Sequence, residues 1–333
     1  MKALVTGASG FIGSTLVEEL GILGFDVRAL LRRTSSTANL EGLKYEKVEG
    51  DLFSPDALRQ AVKGVDYVFH LAGLAVAKNK AEFFECNSQG TKNLADAVAE
   101  HCPGLTRFVY VSSLAAGGPS KSIKPRDEAE KDEPVSAYGE SKLKAEQELF
   151  KHKGVYPISV VRPPLVYGPR DKATFIFVKT ISRNLMPLLK GSTDDGQKYY
   201  SSIHVKDLVR GIVQAGVVSR EKVSSAEIFY LAGDGIDSYE RLMTIIADHL
   251  NREPLKIRIP KTVFKVAAVA LTALGRVANR TFPLNLDKLN EVLPDYWICS
   301  NQKAKSLLGF KPEFDLSTGL PNAIEWYKQN HWI

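Results

Sequence analysis

A tyrosine and a lysine four residues apart, Tyr138 and Lys142, are the side chains of this sequence best suited to proton transfer. They follow Pro134 and Ser136, a typical helix start, so they should share one helix face with Cβ atoms roughly 5–6 Å apart. A phenol in water has a pKa near ~10. We expect the Lys142 ammonium to stabilise the phenolate, lower the pKa of Tyr138 and make it a general acid or base. The alternative is a solvent-exposed helix face, because the spacing alone is common.

The elements that precede this pair begin with a strand and a glycine-rich turn. An apolar strand, Lys2–Thr6, runs into Gly7, Gly10 and Gly13, and a helical pattern of apolar residues follows. The first glycine allows a tight turn, the second lets the backbone approach a diphosphate, and the third lets the helix pack on the strand. The helix N-terminus would then offer free N–H groups to the phosphates. This arrangement predicts a dinucleotide site.

The end of the second strand indicates which dinucleotide is preferred. The strand Asp26–Leu31 is followed by Arg32 and Arg33, where an NAD site usually carries an acid for the ribose 2′-hydroxyl. A guanidinium suits a 2′-phosphate. We therefore predict NADP(H) rather than NAD(H), with Arg32 as the phosphate contact. The alternative is a pair of exposed loop arginines.

Three further strands are predicted at 45–48, 66–69 and 107–111, and a long helix at about 81–100. Several side chains that follow the strands should lie at the ligand-binding edge of the sheet. Asp51 can accept from an adenine amino group while Leu52 covers the ring, and Ala72 is small enough for close approach of a cofactor. His70 is expected to be a packed strand-end histidine rather than a catalyst. Asn87 either bonds the backbone near the site or satisfies a helix contact.

Two adjacent serines, Ser112 and Ser113, follow the fifth strand and offer a hydroxyl at the same edge. The pattern alone does not separate them. A charged segment, 121–133, is predicted as a surface loop between these serines and Tyr138.

The alternation of strands and helices predicts an α/β fold, a Rossmann-type doubly wound parallel sheet with a smaller C-terminal α/β substrate domain. Residues 1–170 should form the dinucleotide-binding core, segments around 200–231 should return to it, and 171–333 should mostly bind substrate. For the second half we predict helices at 175–189, from about Asp207, at 239–250 and at 316–327, strands at 228–231 and 255–259, and a polar loop at 191–198.

Composition narrows the class of protein. The 333 residues carry a net charge of +6, dispersed over the chain without a basic block interleaved with aromatics, so no nucleic-acid partner is expected. The cysteines are Cys86, Cys102 and Cys299, which form neither a metal motif nor a disulfide framework. We therefore expect no metal. A cytoplasmic location is expected, because the N-terminus enters a strand without a charged leader.

The apolar run 263–274, interrupted by Lys265, is too short to span a membrane. A buried or partner-facing helix is expected. A membrane-surface helix is the alternative, supported by the basic residues Lys261, Lys265, Arg276 and Arg280.

Taken together, these motifs resemble the extended short-chain dehydrogenase/reductase family, part of the NAD-dependent epimerase/dehydratase superfamily. The matching groups, in order, are Thr6 to Gly13, Asp51-Leu52, His70 to Gly73, Asn87 with Gly90-Thr91, Ser112-Ser113, Tyr138 to Lys142, and Arg162 to Pro169. The resemblance implies that Ser113, Tyr138 and Lys142 are catalytic, with Ser112 in reserve. It implies a cofactor set of Gly7, Gly10, Phe11, Ile12, Gly13, Arg32, Asp51, Leu52, Ala72, Tyr138, Lys142 and Pro163. His204 falls in a run that links the small domain to the sheet in this family, so a structural role is expected.

Departures from the family pattern narrow the chemistry. The 4,6-dehydratases have an Asp-Glu pair just after the serine, where this chain has Leu114 and Ala115. Many nucleotide-sugar members have an asparagine where this chain has Leu165, which favours an apolar substrate. The chain most resembles the 3β-hydroxysteroid dehydrogenase and dihydroflavonol reductase branches.

The resemblance therefore implies an NADP(H)-dependent oxidoreductase that transfers hydride between nicotinamide and a ketone or secondary alcohol on a steroid-, flavonoid- or acyl-like skeleton. The alternatives are a nucleotide-sugar epimerase with tightly bound NAD, and a non-catalytic dinucleotide-binding protein. The expected partners are a small-molecule substrate and a second copy of the chain. Whether the helices at about 81–100 and 136–152 form the dimer contact stays open.

Overall fold

A computed structural model of the protein describes residues 1–223, 225–278 and 286–333. Arg280, one of the basic residues considered above, lies outside the described residues. The strands, in chain order, are β1 (Lys2–Thr6), β2 (Asp26–Leu31), β3 (Glu46–Glu49), β4 (Tyr67–His70), β5 (Arg107–Val111), β6 (Ile158–Arg162), β7 (Leu165–Tyr167), β8 (Leu185–Leu189), β9 (Tyr199–His204), β10 (Ala226–Tyr230), β11 (Ile236–Ser238), β12 (Leu255–Ile259) and β13 (Tyr296–Trp297).

The α-helices are α1 (Phe11–Ile22), α2 (Pro55–Val62), α3 (Lys80–Phe83), α4 (Gly90–His101), α5 (Leu114–Gly117), α6 (Ala137–Phe150), α7 (Lys172–Ser182), α8 (Val205–Val217), α9 (Tyr239–His249), α10 (Lys261–Ala278), α11 (Leu286–Val292), α12 (Gln302–Leu308) and α13 (Leu316–Gln329). A π-helical turn, Phe84–Gln89, joins α3 to α4, and a 3₁₀ turn spans Ala38–Leu40.

The central sheet has the strand order β10-β6-β5-β4-β1-β2-β3, and every pair is parallel. Its middle strands are fully buried, as the run Ala3, Leu4 and Val5 shows, because helices cover both faces of the sheet. The strand order reverses between β1 and β4, and this reversal opens a crevice at the carboxyl ends of the strands. The Rossmann-type prediction is confirmed.

The smaller sheets lie beyond this edge. β9 pairs with β7, β11 and β13, while β8 and β12 form a parallel two-stranded ribbon. The chain returns to the central sheet through α8, which packs on α1, and through β10, which pairs with β6. Two sets of elements thus face each other across the carboxyl edge of the central sheet. None of the described helices is long and apolar enough to cross a membrane.

The prediction of one helix over 175–189 is wrong. The helix α7 ends at Ser182, and the chain then reverses through Asn184, which has a left-handed backbone (φ 61°), into strand β8. Asparagine tolerates that conformation, and Pro187 cannot supply the N–H that a continued helix needs. Apolar residues at helical spacing thus also fit a strand whose faces are both covered.

Two other predicted helices are present and differ from the prediction in detail. The helix expected at 81–100 is interrupted by the π-helical turn, which places Asn87 against the loop after β4. The helix expected to be capped by Asp207 or a nearby residue begins at Val205, and the cap is the nearby His204, whose ring accepts from the Lys206 N–H. Asp207 is instead buried and accepts from the backbone N–H groups of Glu313 and Phe314.

Candidate active site

The glycine-rich turn between β1 and α1 forms one wall of a cavity at the crevice. Gly7 has a left-handed backbone (φ 71°), and a Cβ there would lie 2.7 Å from the Ala72 nitrogen. A Cβ on Gly13 would lie 2.1 Å from the Gly7 carbonyl oxygen. Any side chain at either position would therefore push the turn away from the sheet.

The first turn of α1 is open to an anionic ligand. Phe11 and Ile12 begin the helix directly after Gly10, no described side chain caps it, and the first turn carries no acidic residue. Gly10 lines the cavity, whereas Phe11 and Ile12 are not among its lining residues. The uncapped first turn next to Gly10 offers the positive end of the helix dipole to an anion. The turn fits a dinucleotide diphosphate.

The cavity has a volume of about 430 Å³ and extends along the strand ends to the predicted adenosine contacts. Arg32 lines it at the end of β2 and is exposed, so its guanidinium is available to a ligand. Asp51 also lines it, and its Oδ1 accepts from the Phe53 N–H at 2.9 Å and from the Ser54 hydroxyl at 2.8 Å. Leu52, Ala72 and Cys86 complete this part of the wall.

Asn87 connects the cavity to α6. Its Oδ1 accepts from the Leu74 N–H at 2.7 Å, and its Nδ2 donates to the Leu74 carbonyl at 3.0 Å and to the Ser141 hydroxyl at 2.9 Å. Of the two roles considered for Asn87, the structure shows backbone bonding near the site.

Helix α6 carries Tyr138 and Lys142 to the same edge. Its first turn is capped by Ser136, whose hydroxyl accepts from the Gly139 N–H at 3.0 Å, as the sequence indicated. Lys142 Nζ donates to the Val111 carbonyl at 2.9 Å and lies 4.8 Å from the centre of the Tyr110 ring. It is also 3.6 Å from the point where a Cβ on Gly73 would stand. Lys142 therefore lies beside the dinucleotide cavity.

The expected lowering of the Tyr138 pKa is wrong for the ligand-free protein. Burial raises the pKa of Tyr138 to about 12, although a hydrogen bond with Ser113 acts in the opposite direction. Burial also lowers the pKa of Lys142 to about 8, and the nearby Glu146 carboxylate only partly opposes this. The physical reason is desolvation of both groups, which disfavours the charged forms. At neutral pH Tyr138 is therefore a protonated phenol that can donate.

The two serines have different surroundings. The Ser112 hydroxyl is buried and donates to Glu146 Oε1 at 2.5 Å. Ser113 lines the second cavity described below together with Tyr138, and it also accepts from the Ala115 N–H at 3.1 Å. The geometry therefore favours Ser113 as the hydroxyl available to a ligand.

Ser112 belongs to a buried ionic network centred on Arg162. The guanidinium donates to Glu146 Oε1 at 2.9 Å and to Oε2 at 2.5 Å, and to the two Asp132 oxygens at 2.6 and 2.8 Å. Arg162 and Glu146 are almost completely buried. The next residue, Pro163, is buried and its carbonyl accepts from the Leu114 N–H at 2.9 Å, so it lies behind the cavity walls.

A second cavity of about 600 Å³ lies between the central sheet and the smaller sheets. Ser113 and Tyr138 contribute hydroxyls to one side of it. Most of its other lining residues are apolar or aromatic: Ala75, Leu114, Ala115, Pro164, Leu165, Phe177, Pro187, Leu189, Tyr200, Tyr239, Ile259, Phe264, Val292 and Trp297. The cavity suits an apolar ligand with a polar group near the two hydroxyls.

The sequence did not indicate the carboxylates that hold α11 against α6. Asp287 accepts from the Ala137 N–H at 2.6 Å, and Glu291 accepts from the Ser136 hydroxyl at 2.7 Å. Glu291 also lines the apolar cavity, and its ion pair with Lys288 has an N–O distance of 2.6 Å. About 150 residues separate these partners, so only the i, i+4 spacing of the two acids was visible in the sequence.

The Glu291 charge gives a pH prediction, because it adds to the effect of burial in raising the pKa of Tyr138. In the general-base role expected for Tyr138, the reacting species is the phenolate, whose fraction increases with pH. Replacing Glu291 with Gln removes the repulsion, lowers the pKa of Tyr138 and should shift the alkaline rise of kcat/KM to lower pH. The profiles are measured over pH 7 to about 11, within the stability range of the protein.

The matched control for this charge change is Glu325→Gln. Glu325 is a half-exposed acid that pairs with His249 and lines neither cavity. Its pH profile should coincide with that of wild type. An equal shift in both variants would contradict the assignment of the effect to Glu291.

The two histidines discussed in the sequence analysis, His70 and His204, have structural environments. His70 is buried between the hydroxyls of Thr6 (2.6 Å) and Thr91 (2.9 Å), and burial lowers its pKa to about 3. His204 stacks on Phe314 with ring centres 4.1 Å apart, and burial lowers its pKa to about 4. Both predictions of a packing role are confirmed.

Comparisons with known proteins agree with this site. The model of the NAD dependent epimerase/dehydratase family matches residues 3–228. The ceramide reductase of Caulobacter vibrioides is 28% identical over 330 residues, covering 99% of this chain and 95% of that protein. The putative dihydroflavonol 4-reductase of Synechocystis is 29% identical, covering 98% and 94%. The crystal structure of gox2253 has a TM-score of 0.81 at 27% identity, covering 98% of each chain. Other similar proteins and structures are epimerases by name.

Proposed function

The chain belongs to the NAD dependent epimerase/dehydratase family and is an NAD(P)-dependent enzyme of the extended short-chain type, and we propose that it reduces a ketone on a largely apolar substrate with NADPH. The observation that carries the proposal is the apolar cavity of about 600 Å³ with the Ser113 and Tyr138 hydroxyls in its wall. A nucleotide sugar would bring phosphates into this cavity, where the two lysines of the wall, Lys198 and Lys288, are already paired with Asp295 and Glu291.

The protein residues have separate roles in this reaction. Ser113 donates a hydrogen bond to the substrate oxygen and orients the carbonyl. Tyr138 donates its proton to that oxygen, and at neutral pH it is in the protonated state that this step requires. Lys142, which lies beside Gly73 at the dinucleotide cavity, binds the cofactor. A bound nicotinamide supplies the hydride.

The proposal is tested by screening the purified protein against steroid, acyl, aryl and isoprenoid ketones with NADPH and NADH. Turnover of an apolar ketone, measured by loss of nicotinamide absorbance and by identification of the alcohol, is the expected result. Turnover of nucleotide sugars alone would reject the proposal.

The preference for NADPH is attributed to Arg32, the exposed guanidinium in the dinucleotide cavity. A charge-assisted hydrogen bond contributes about 1.5–3 kcal/mol. Replacing Arg32 with Ala should therefore raise the KM for NADPH about 10- to 100-fold and leave the KM for NADH nearly unchanged. Arg33→Ala, at the next exposed position, is the matched control. Equal effects of Arg32→Ala on both cofactors would assign Arg32 to general binding instead.

An epimerase is the second candidate, because similar proteins carry that name. An epimerase retains NAD and returns the hydride to the same substrate. Protein that purifies with bound NAD, and that interconverts two nucleotide sugars without net change in cofactor, would favour it.

A further inference from the structure

The apolar wall of the substrate cavity continues to the protein surface along the β8–β12 ribbon. The facing residues of the two strands are Leu255 with Leu185, Ile257 with Pro187, and Ile259 with Leu189. Alternate residues of a strand share one face, so these six side chains lie on the same side of the ribbon. The Ile259–Leu189 pair and Pro187 line the cavity, whereas Leu185, Leu255 and Ile257 are exposed.

Helix α10 extends this apolar surface. It follows β12 after Pro260, and its Phe264 lines the cavity. Val263, Val266 and Val269, three residues apart, are 55%, 70% and 54% exposed. Residues at this spacing share one helix face. We call these valines, with Leu255 and Ile257, the apolar rim. Large apolar side chains exposed together on consecutive elements mark a candidate interaction site.

The sequence of the segment that carries most of the apolar rim indicates what can cover it. Residues 254–286 contain no acid and six basic residues: Lys256, Arg258, Lys261, Lys265, Arg276 and Arg280. Lys256 is paired with Glu240 and Lys261 with Asp295. Lys265 is exposed on α10 between the valines. Exposed apolar side chains flanked by lysine and arginine are the pattern of helices that lie in the interface of anionic bilayers.

We propose that the apolar rim docks on an anionic phospholipid bilayer, with the cavity mouth facing the lipid, so that an apolar substrate enters directly from the membrane. The proposed docking depends only on the exposed residues of the apolar rim and the basic residues of its segment. The delivery of substrate rests on the proposed function. Direct transfer avoids exposing an apolar substrate to water, which costs free energy in proportion to its apolar area.

The docking is measured by co-sedimentation with sucrose-loaded vesicles of phosphatidylcholine with or without phosphatidylglycerol. The wild-type protein should pellet with the anionic vesicles and much less with the neutral ones. Val266→Glu/Val269→Glu should lower the affinity for anionic vesicles at least about tenfold. Ile123→Glu/Val155→Glu is the matched control, because it adds the same charge at apolar positions that are 53% and 51% exposed elsewhere. Its affinity should stay within about threefold of wild type, once the general effect of two charges is included.

A second variant, Lys265→Glu, keeps the valines and should also weaken binding to the anionic vesicles. Absence of wild-type pelleting, or equal losses in the rim and control variants, would overturn the docking. So would a shift of the rim variant from dimer to monomer in sedimentation velocity without vesicle binding, since the rim would then cover a second copy.

Activity separates the docking from the reaction. On a water-soluble ketone the rim variant should match wild type, whereas on a vesicle-borne ketone it should lose at least about tenfold in rate. Pelleting as predicted without turnover of any ketone would leave the docking intact and reject the proposed function.

Discussion

Replacing Tyr138 with Phe should lower kcat for ketone reduction by about 10²- to 10⁴-fold while NADPH binding persists. The substitution removes one oxygen from a ring that packs on Phe83, with ring centres 5.9 Å apart, so the fold should be retained. The loss is expected because the phenol, which lines the apolar cavity with Ser113, is the proposed proton donor. Single-turnover rates and NADPH fluorescence titration measure the two effects separately.

Tyr45→Phe is a suitable control, because Tyr45 lies just before β3 and away from both cavities. Its kcat should equal that of wild type. Full activity of Tyr138→Phe, or an equal loss in both variants, would show that the proton comes from another group.

Replacing Arg162 with Met should lower the free energy of unfolding by about 3–5 kcal/mol. The guanidinium bonds both Glu146 oxygens, and without it a fully buried carboxylate retains only the Ser112 hydroxyl among these partners. Burial already raises the pKa of Glu146. The uncompensated group must be protonated or hydrated, and either outcome destabilises the fold. Urea unfolding followed by circular dichroism gives the difference.

Two controls separate burial from charge. Arg59→Met breaks an exposed pair with Asp56 and should cost at most about 1 kcal/mol. The double variant Glu146→Leu/Arg162→Met removes both charges and should recover much of the loss, since an apolar replacement needs no counter-charge. A loss in Arg162→Met no larger than that in Arg59→Met would show that the network contributes little.

The parts of the site that are local in sequence were predictable. The turn at Gly7, Gly10 and Gly13 lies between a strand and a helix that are adjacent in the chain, so spacing and residue type suffice to predict its shape. The same holds for the helix start at Ser136, whose cap partner is three residues away. Arg32 was placed in the cavity because parallel strands end at a common edge.

The parts that depend on distant contacts were not predictable. The spacing predicted that Tyr138 and Lys142 share one helix. It did not predict the direction of the Tyr138 pKa shift, because burial by residues far along the chain raises that pKa. The sequence did not distinguish Ser112 from Ser113. They differ in the structure because the Ser112 hydroxyl is bonded to the buried Glu146. The sequence did not predict the end of the helix at Ser182, because the apolar pattern continues through both α7 and β8.

The most direct test of a hydride transfer to an apolar ketone follows the hydride itself. NADPH deuterated at C4, in each of its two stereochemical forms, is incubated with the protein and a ketone substrate, and the alcohol is analysed by mass spectrometry. If hydride passes from NADPH to the ketone, the carbinol carbon carries one deuterium from one of the two forms only, and one NADPH is consumed per alcohol. An alcohol without deuterium from either form, or cofactor that cycles without net consumption, would contradict it.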